Sequence, residues 1–562
     1  MTLEPPPAGP TDLRLAGPRA LLVEFDALSD VVAHHQHLVE HPLDGQIDVV
    51  AAARTLLLRF DSRSAARAAE SALDGLSVGA FSAGDARTVE IEVVYDGEDL
   101  DDVAEHLGLS AEALIDRHTS RDWIGAFGGF APGFTYCVPD RDPDQVPRRS
   151  SPRTQVPAGS VALAGEFSAV YPRESPGGWQ LIGRTGAALW DVSRDSPALV
   201  RPGDTVRYRA VSAEALTSSH TAEAPDAPQE PDRPDEQGER DAPDDRAVLE
   251  VVAPGMRTLI QDFGRAGLSD LGVSRAGVAD EAAMRQANRL VGNAPGAPVL
   301  EVLHGGLTLQ ARGTAVVAVA GAESPLTVTA EDGSVRRPRL RSPFTLTVGD
   351  RLELGAPTAG LRSVLALRGG LSAEAVLGST STDTMSGLGP APLDAGDLLR
   401  PAATAPHPVG TGEPSTLAAR DDDGAVVLRF TLGPRDDWFG EDEVRRLSDQ
   451  RWEATQESDR IGIRLTPADE DGGPLERSRD GELPSEGVVR GALQMPPAGT
   501  PVLFLNDHPV TGGYPVIGVV VAEDMHHAAQ LAPGDLIRLA PVDPDTLRPT
   551  SSSSTRTAED RP

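Results

Sequence analysis

Three short elements occur twice in this chain, in the same order and at similar spacing. The first copy reads QVPAGSVALAG, SPGGWQLIG and RPGDTVRY between residues 155 and 208, and the second reads QMPPAGTPVLFL, VTGGYPVIG and APGDLIRL between residues 494 and 539. Short β segments separated by Gly and Pro are typical of small barrels. The repeat therefore predicts two copies of one β-barrel-like module, with Trp179 and Tyr514 at equivalent places. TVGDRLEL at 347–354 suggests the end of a further barrel.

An acidic, proline-rich segment separates the two copies. Residues 217–246 contain five prolines, ten acidic residues and three arginines, but no large apolar side chain. Such a segment cannot bury enough apolar surface to offset the entropy lost on ordering it, so we expect a disordered linker. The serine-rich tail at 546–562 has a similar character, and we expect it to be disordered as well.

The hydrophobic pattern changes along the chain. Up to about residue 120 it alternates between strand and helix spacing, whereas short β runs between Gly and Pro follow. The segment 50–61 predicts one strand, and a helical pattern at 279–293 ends in Gly292, as a helix C-terminus should. We expect a mainly β protein with an α+β N-terminal domain at 11–120, a β-barrel at 121–216, the linker at 217–246, a second part at 247–545 and the tail.

The composition excludes several classes of function. The net charge of −34 over 562 residues repels phosphate backbones, which argues against nucleic-acid binding. We find no run of 18 apolar residues and no secretory signal pattern, so we expect a cytoplasmic protein that does not cross a membrane. Cys137 is the only cysteine, which excludes an internal disulfide, and without a His-Asn partner we expect a buried, inert thiol.

The chain contains no lysine, so all 51 basic residues are arginine. It therefore has no P-loop lysine, cannot form a Schiff base and cannot carry biotin covalently on a lysine side chain. Any phosphate or carboxylate bound here must be held by arginine, by backbone N–H groups or by a metal ion.

The stretch GGFAPGFTYC at 128–137 concentrates aromatic residues in a chain that is only 4% aromatic. Pro132 and Gly133 predict a type II turn. The aromatic rings could fill the core beneath this turn. Alternatively, the turn could present backbone N–H groups to a ligand while the rings wall its pocket.

Four segments of the second part are rich in polar residues that could carry chemistry. They lie at 261–307, 457–465, 483–496 and 506–515. None has metal-ligand spacing, and the sequence has no G-x-S-x-G nucleophile elbow. These residues could also form solvated loops and internal ion pairs.

Together, these motifs resemble a known family. LRLAGPRALLVEF, GGFAPGFTYC, TQVPAGSVALAGEFSAVYP and SPGGWQLIGRT are similar to the subunit long labelled allophanate hydrolase subunit 1. The segments MRTLIQDFGRAGLSDLGVSRAGVADEAAMRQANRLVGN, ESDRIGIRL, SEGVVRGALQMP and TGGYPVIGVV resemble its partner, subunit 2. The same pair forms the B and C subunits of ATP-dependent 5-oxoprolinase and, when fused, is similar to the carboxyltransferase domain of urea carboxylase. The family also includes a sporulation kinase inhibitor and its antagonist.

The resemblance implies cyclophilin-like barrels, in agreement with the repeat, and a small-substrate cleft. In the first part it implies as substrate-binding residues Phe130, Pro132, Gly133, Phe134, Tyr136, Arg153, Ser160, Gly177, Gly178 and Trp179. In the second part it implies Gln261, Asn288, Gln494, Asp507, Thr511, Gly512, Gly513 and Tyr514. The candidates for catalysis are Arg265, Arg460, Asp262, Asp459 and Glu486.

The activity that the resemblance implies first is a component of an ATP-dependent 5-oxoprolinase, which opens 5-oxoproline to glutamate with a separate A-type subunit. Arg265 and Arg460 would hold negative charge, and one of the three acids would hold Mg²⁺ beside ATP. One alternative is a carboxyltransferase that acts on urea or a related amide with carboxybiotin carried by another protein. Another is a regulator that binds a histidine kinase. In each case we expect the two parts of the chain to associate.

The sequence departs from the family pattern at two places. Ala276 lacks the hydroxyl of the common S-G-P-M-D motif, and His508 stands where D-R-Q-T-T-G-G-Y has arginine. These departures leave room for a shifted substrate preference.

Overall fold

The computed structural model of this protein describes residues 7–76, 78, 87–149, 151, 153–216, 248–402 and 405–550. The expected linker at 217–246 and the end of the expected tail, 551–562, lie outside these residues. The start of that tail lies inside them and returns to the last strand, where the Thr550 N–H donates to the Pro541 carbonyl (3.3 Å). Among the described residues, no helix has both the length and the apolar character needed to cross a lipid bilayer.

The chain begins with a small α+β unit. Its elements are β1 (Asp12–Leu15), β2 (Ala20–Glu24), α1 (Leu28–Glu40), β3 (Gln46–Ala51), β4 (Thr55–Phe60) and α2 (Arg63–Leu73). The strands form an antiparallel sheet in the order β1-β2-β4-β3. The segment 50–61, expected as one strand, instead contains the turn of the β3–β4 hairpin, because the Ala52 N–H bonds back to the Thr55 carbonyl (2.9 Å).

A seven-stranded barrel-like sheet follows. Its elements are β5 (Thr88–Val93), α3 (Leu100–Leu107), α4 (Ala111–Thr119), β6 (Trp123–Gly128), β7 (Thr135–Pro139), β8 (Arg153–Val156), β9 (Ser160–Ala164), β10 (Phe167–Val170), β11 (Ser175–Gly177), β12 (Gln180–Arg184) and β13 (Thr205–Ala210). The strand order is β12-β9-β10-β7-β6-β13-β5, and a bridge from Val94 to Arg184 joins its two edges. The pair β8–β11 lies apart as a two-stranded ribbon.

The division expected at residue 120 differs from this topology. Strand β5 pairs in parallel with β13, more than 100 residues away, so residues 88–119 are part of the barrel-like unit. Burial raises the pKa of the Cys137 thiol to about 12 inside this unit, as expected for an inert thiol.

The second part starts with two sheets that pack against each other, and one helix packs on the outer face of one of them. Its elements are β14 (Leu249–Pro254), β15 (Arg257–Gln261), a 3₁₀ turn (Ser269–Leu271), α5 (Glu281–Val291), β16 (Val299–Leu303), β17 (Leu307–Ala311), β18 (Ala315–Gly321), β19 (Leu326–Thr329), β20 (Val335–Arg336), β21 (Phe344–Leu346), β22 (Arg351–Leu354), β23 (Arg362–Leu367) and β24 (Leu398–Leu399). The sheet orders are β20-β19-β22-β17-β14-β24 and β15-β16-β23-β18-β21. Helix α5 ends at Gly292 (φ +76°), as its sequence predicts.

A closed barrel completes the chain. Its elements are β25 (Val426–Leu432), a 3₁₀ turn (Asp436–Trp438), α6 (Glu441–Asp449), β26 (Trp452–Ala454), β27 (Gly462–Pro467), β28 (Glu486–Gly487), β29 (Ala492–Gln494), β30 (Val502–Phe504), β31 (Thr511–Gly512), β32 (Val516–Val520), a 3₁₀ turn (Ala522–Asp524), α7 (Met525–Ala528) and β33 (Leu536–Pro541). The order around the barrel is β25-β32-β29-β30-β27-β26-β33, with β28–β31 as a separate ribbon.

The two barrels share one topology, as the repeat predicts. Starting from the parallel pair β5–β13 or β25–β33, both have the same strand order and a separate two-stranded ribbon. Trp179 and Tyr514 each lie between the ribbon and the next barrel strand. The two barrels also share a feature that the repeat did not reveal. After the helices of each barrel, Trp123 and Trp452 each donate a hydrogen bond from the indole N–H to the carbonyl five residues earlier (3.0 and 2.9 Å).

An apolar interface joins the two parts of the chain. The N-terminal sheet carries its helices on one face, and the other face lies against the closed barrel. Leu22 and Leu57 of that sheet are fully buried against a group that includes Phe504, Val516 and Val519. Burial of such side chains contributes roughly 1.5–3 kcal/mol each relative to exposure, so this contact is a stable association. The expected association of the two parts is therefore present in the structure.

Candidate functional site

The turn at 129–134 lies at the contact between the two parts. The Phe134 N–H bonds to the Ala131 carbonyl (2.9 Å) and Gly133 has φ +79°, which is the predicted type II geometry. Phe130 has a φ of +58°, a conformation that non-glycine residues rarely adopt. Backbone strain of this kind concentrates at functional sites.

The aromatic rings lie beneath this turn in the core. The Phe134 ring centroid is 5.1 Å from that of Tyr136 and 5.5 Å from that of Trp179, and Tyr136 stacks on Phe127 at 4.4 Å. The side chains of Phe134, Tyr136 and Trp179 are all buried. The rings therefore fix the turn from below, and the turn presents its backbone to the second part of the chain.

The second part meets this backbone closely. The Phe130 N–H donates to the Thr511 hydroxyl (2.9 Å), and the Gly133 N–H donates to the Leu271 carbonyl (3.3 Å). A Cβ atom on Gly272 would lie 2.3 Å from the Ala131 carbonyl oxygen, so only glycine allows this approach. Residues that the sequence singled out in separate parts are thus brought together.

A loop rich in hydroxyl groups, residues 376–390, lies at the contact between the two parts of the chain, which we call the junction. We call this loop the hydroxyl loop. Its Ser379 and Ser381 hydroxyls each donate to Asp262 at 2.6 Å, and the Thr380 N–H donates to the same carboxylate at 2.8 Å. Burial alone would raise the pKa of Asp262, but these hydrogen bonds outweigh it and hold the pKa below its ordinary value. Asp262 is therefore an ionised anchor of the loop.

Arg265 lies against the same loop and is only 3% exposed. Its Nε donates to the Val376 carbonyl (3.0 Å) and one Nη to the Ser381 carbonyl (2.8 Å). The other, Nη1, is buried and finds no acceptor among the described residues. Burial lowers the pKa of Arg265, although the charges of Asp383, Asp262 and Asp507 oppose this. A buried guanidinium nitrogen without an acceptor is costly, and it marks a place where a ligand oxygen could bind.

Two buried carboxylates face each other across the hydroxyl loop. Asp383 accepts from the Ser274 hydroxyl (3.1 Å) and from the Met385 and Ser386 N–H groups (3.0 and 2.8 Å). Asp507 accepts from the Thr384 hydroxyl (2.6 Å). Burial raises the pKa of Asp383, and the charge of Asp507 raises it further. Asp383 is therefore suited to carry a proton that it could give up in a reaction.

Arg460 lies behind this pair in a network of ion pairs. Its Nε and Nη2 donate to the Asp507 carboxylate (both 2.9 Å), Nη2 also donates to the Gly277 carbonyl, and Nη1 donates to Glu301. Burial lowers the pKa of Arg460, but the charges of Asp507 and Glu301 outweigh it and raise the pKa above its ordinary value. Every nitrogen of this guanidinium already has an acceptor, so Arg460 orients Asp507.

Arg173 of the first part covers the hydroxyl loop. Its guanidinium donates to the Met385 carbonyl and lies close to Gly387. Burial lowers the pKa of Arg173, and the Asp383 charge opposes this. The junction thus combines groups from both parts of the chain.

The second Gly-Gly-aromatic turn also contacts the first part. A Cβ atom on Gly513 would lie 2.6 Å from the Arg148 guanidinium, and a Cβ atom on Gly512 would lie 2.5 Å from the Gln494 amide nitrogen. That amide donates to the Tyr514 carbonyl (3.3 Å). These residues lie on the same side of the barrel as Thr511, beside the junction.

The remaining candidates lie away from the hydroxyl loop, except Gln261, which is bonded to it. Asn288 donates to the Ala297 carbonyl (2.8 Å) after α5, and Ser160 donates to the Pro157 carbonyl (2.8 Å) in a turn. Arg153 pairs with Asp99 (2.8 Å) beside the first Gly-Gly turn, Gly177 and Gly178, and Gln261 is fully buried and donates to the Thr382 carbonyl (2.8 Å). Asn288 and Ser160 therefore stabilise local structure.

The three acids of which one was expected to hold Mg²⁺ lie in different surroundings. Asp262 is bonded to the hydroxyl loop, Asp459 accepts from the Ile461 N–H (2.7 Å), and Glu486 pairs with Arg435 (Nε, 3.0 Å). Within the part of the chain that the structure describes, no three His, Cys, Asp or Glu side chains form a group that could hold a metal ion.

Sequence reasoning missed Asp383, Arg173 and the hydroxyl loop. The loop sequence GSTSTDTMSGLG at 378–389 reads as an ordinary polar connection. Its density of hydroxyl groups around one aspartate is the signal that could have identified it, since Ser and Thr hydroxyls satisfy buried carboxylates.

Comparison with known proteins identifies the family. The family model described as the carboxyltransferase domain, subdomain C and D, matches residues 11–200, and the model for subdomain A and B matches residues 271–541. The C subunit of 5-oxoprolinase from Escherichia coli K12 is 34% identical over 298 residues, which cover 52% of this chain and 90% of that protein.

Two further relatives match a stretch of the first part and most of the chain, respectively. The B subunit of 5-oxoprolinase from Escherichia coli O157:H7 is 47% identical over 127 residues, which cover 22% of this chain and 58% of that protein. The match therefore spans less than two thirds of that protein. The crystal structure of TTHA0988 matches with a TM-score of 0.76 and 32% identity, and the match covers 93% of this chain and 99% of that one. This chain therefore belongs to the carboxyltransferase-domain family and carries the C/D and A/B regions of that family in one polypeptide.

Proposed function

We propose that this chain is a component of an ATP-dependent 5-oxoprolinase and works with a separate A-type subunit. The proposal is supported by the similarity of its two parts to the B and C subunits of 5-oxoprolinase. The observation that carries it is the buried Nη1 of Arg265, which has no acceptor among the described residues. The rest of this guanidinium bonds to the hydroxyl loop, which Arg173 of the first part also contacts.

The reaction needs an activated amide. The lactam amide of 5-oxoproline is stabilised by resonance, and its five-membered ring is unstrained. Transfer of a phosphoryl group from ATP to the amide oxygen turns that oxygen into a leaving group and makes the carbon electrophilic. Water then adds to the carbon and the C–N bond breaks, which opens the ring to an acyl phosphate, and a second water molecule releases phosphate to give glutamate. Each stage places negative charge on oxygen, which a guanidinium in a buried site stabilises strongly.

We assign the residues of the junction to these needs. Arg265 Nη1 donates to the oxygen that develops charge. Asp383, whose pKa is raised by burial and by Asp507, gives a proton to the ring nitrogen as the C–N bond breaks. Arg460 and Thr384 hold Asp507 in place. No step is assigned to Asp459 or Glu486.

The substrate must displace the hydroxyl loop to enter. Arg265 and Asp383 are both buried, and Arg173 holds the loop from the first part through Met385. Movement of an active-site loop that excludes water is a common step in enzymes that form reactive intermediates. We expect contact with the A-type subunit to start this movement of the hydroxyl loop.

The test is glutamate release from 5-oxoproline and ATP, with the intact chain alone and with the A-type subunit. We expect release only with both proteins. The second candidate function, transfer of a carboxyl group to urea, is favoured by the carboxyltransferase description of both matched models. Absence of glutamate release, combined with carboxylation of urea when a carboxybiotin carrier is supplied, would replace the first proposal by the second.

A further inference from the structure

A second group of arginines lies where three units of the chain meet. Arg59 is on β4 of the N-terminal unit, Arg275 is in the loop before α5, and Arg490 precedes β29 of the closed barrel. We call these three residues the arginine junction. Their side chains are 25%, 34% and 20% exposed, so each is only partly covered by the protein.

The ion pairs at the arginine junction are shared unequally. Glu281 is shared by Arg490 (3.0 Å), Arg275 (3.5 Å) and Arg285 (3.5 Å). Arg59 pairs with Asp48 at 3.3 Å, and the Ser269 hydroxyl donates to the same oxygen. Glu281 therefore pairs with three guanidinium groups, and Asp48 pairs with one.

The pKa values of two of these arginines are lowered. Burial is the main cause at Arg59 and Arg490, and the charge of Arg275 lowers both further, although Asp48 opposes this at Arg59 and Glu281 and Asp280 oppose it at Arg490. At Arg435, by contrast, the charges of Glu486 and Glu24 outweigh burial and raise the pKa. Two guanidinium groups whose pKa stays lowered despite their carboxylate partners favour binding of an anion.

Two buried polar atoms at the arginine junction lack partners in the described part of the chain, Arg490 Nε and Asn506 Oδ1. Asn506 is only 5% exposed, and its Nδ2 donates to the carbonyls of Ala276 (3.1 Å) and Val278 (2.9 Å). Those two bonds fix the amide orientation, so Oδ1 must act as an acceptor. Arg490 donates to the next carbonyl, Ala279 (3.0 Å), so both unpaired atoms belong to side chains held by one short segment.

We propose that the arginine junction is a second ligand site, which binds the carboxylate or phosphate of a small molecule. The oxyanion accepts from Arg490 Nε and lies among Arg59, Arg275 and Arg490, while an N–H or O–H group of the same molecule donates to Asn506 Oδ1. In a chain without lysine, three arginines from three units are the means available to hold such a group tightly. Binding there also links the N-terminal unit to both units of the second part.

The two departures from the family pattern lie at this site. Asn506 Nδ2 donates to the carbonyl of Ala276, which has a φ of +51°. His508 is buried near Arg59 and Arg490, and burial lowers its pKa to about 4, with these two charges contributing. A neutral His508 adds no positive charge, so the arginines determine which anion is accepted. The arginine junction is therefore a determinant of ligand choice, independent of the reaction proposed above.

The test is isothermal titration of the intact chain with three probes. 5-Oxoproline offers a carboxylate beside an N–H, 2-pyrrolidinone lacks the carboxylate, and inorganic phosphate supplies an oxyanion alone. We expect 5-oxoproline or phosphate to bind the wild type, and 2-pyrrolidinone to bind at least tenfold more weakly than 5-oxoproline. Failure of both oxyanion probes to bind, or equal binding of 5-oxoproline and 2-pyrrolidinone, overturns the proposal.

Variants locate the bound probe. Arg490→Leu and Arg275→Leu should each weaken binding of the oxyanion at least tenfold, because each removes a charge-assisted contact. Arg312→Leu, at an exposed arginine that pairs with Glu250, is the control and should change binding less than twofold. If Arg490→Leu does not fold, Arg490→Lys keeps the charge and removes Nε, and it should still weaken binding. Loss of binding only in Arg265→Leu would place the ligand at the hydroxyl loop and overturn this proposal while leaving the proposed function intact.

Discussion

The ion pairs of Arg460 allow a quantitative prediction about stability. Arg460 is 1% exposed in its side chain and bonds to Asp507 and Glu301, which are equally buried. Arg460→Met preserves most of the volume but removes the ion-pair partner of buried Asp507 and leaves buried Glu301 only its longer pair with Arg362 (3.9 Å). Removing one partner of such a pair costs about 3–5 kcal/mol. For a unit of 150–250 residues, each kcal/mol lowers the Tm by about 2–4 °C, so we expect a loss of about 6–20 °C.

The assay is urea denaturation followed by tryptophan fluorescence, since Trp452 is fully buried in the same barrel. Arg464→Met is the matched control, because Arg464 and its partner Glu457 are 56% and 81% exposed and 3.6 Å apart. An exposed pair of this kind is worth about 0–1 kcal/mol. Adding Glu301→Gln and Asp507→Asn to Arg460→Met should restore part of the loss, because the unpaired charges are then removed. If Arg460→Met lowers the free energy of unfolding by less than about 1 kcal/mol, or by no more than the control does, the stabilising role of the buried Arg460 ion pairs is refuted.

Three further predictions concern the contact between the two parts and the hydroxyl loop. Gly272→Ala should destabilise the chain more than Gly267→Ala by over about 1 kcal/mol in urea denaturation. Both glycines have φ near +74°, but only Gly272 lies against a carbonyl, whereas no described heavy atom lies within 4 Å of a Cβ on Gly267. Equal losses would contradict the close approach. Because burial and the charge of Asp507 raise the pKa of Asp383, the folded chain holds this proton more tightly than the unfolded chain, and stability from this group is lost as the pH rises through that pKa. Asp383→Asn should therefore become more stable relative to wild type at pH 8 than at pH 5, and a difference that does not vary with pH would contradict this. Cleavage at an engineered protease site within 217–246 should leave two pieces that co-elute on size exclusion, because the apolar contact around Leu22 and Leu57 joins them. Separate elution would show that this contact does not hold the pieces together.

The sequence predicted the structure best where a short motif occurs twice in the same order and at similar spacing. The two PGD turns predict that Asp204 and Asp535 end equivalent loops, and each carboxylate accepts from the N–H three residues earlier (3.0 and 2.8 Å). The Gly-Gly-aromatic turns likewise predict equivalent positions for Trp179 and Tyr514. Such motifs predict local structure well because turn geometry depends on a few residues close in sequence.

Features that depend on distant contacts were not predictable in this way. The pairing of β5 with β13 joins residues more than 100 positions apart, and nothing in the local pattern of 88–93 indicates its partner. Arg265 and Arg460 are both arginines with similar polar neighbours in sequence. Within the described part of the chain, however, Arg265 has one nitrogen without an acceptor, whereas every nitrogen of Arg460 has one. That difference arises from Glu301 and the hydroxyl loop, which the fold brings in from elsewhere.

The role of Arg265 is the central claim, and turnover tests it most directly. The measurement is kcat for glutamate release from 5-oxoproline and ATP by the intact chain with the A-type subunit, for wild type, Arg265→Leu and Arg312→Leu. Loss of a donor to a developing oxyanion lowers kcat by about 10²–10³-fold. We therefore predict that Arg265→Leu falls by at least about a hundredfold while its circular dichroism spectrum stays that of the wild type, and that Arg312→Leu is unchanged. Turnover of a folded Arg265→Leu within threefold of wild type would contradict the assignment of Arg265 as the group that holds the charge.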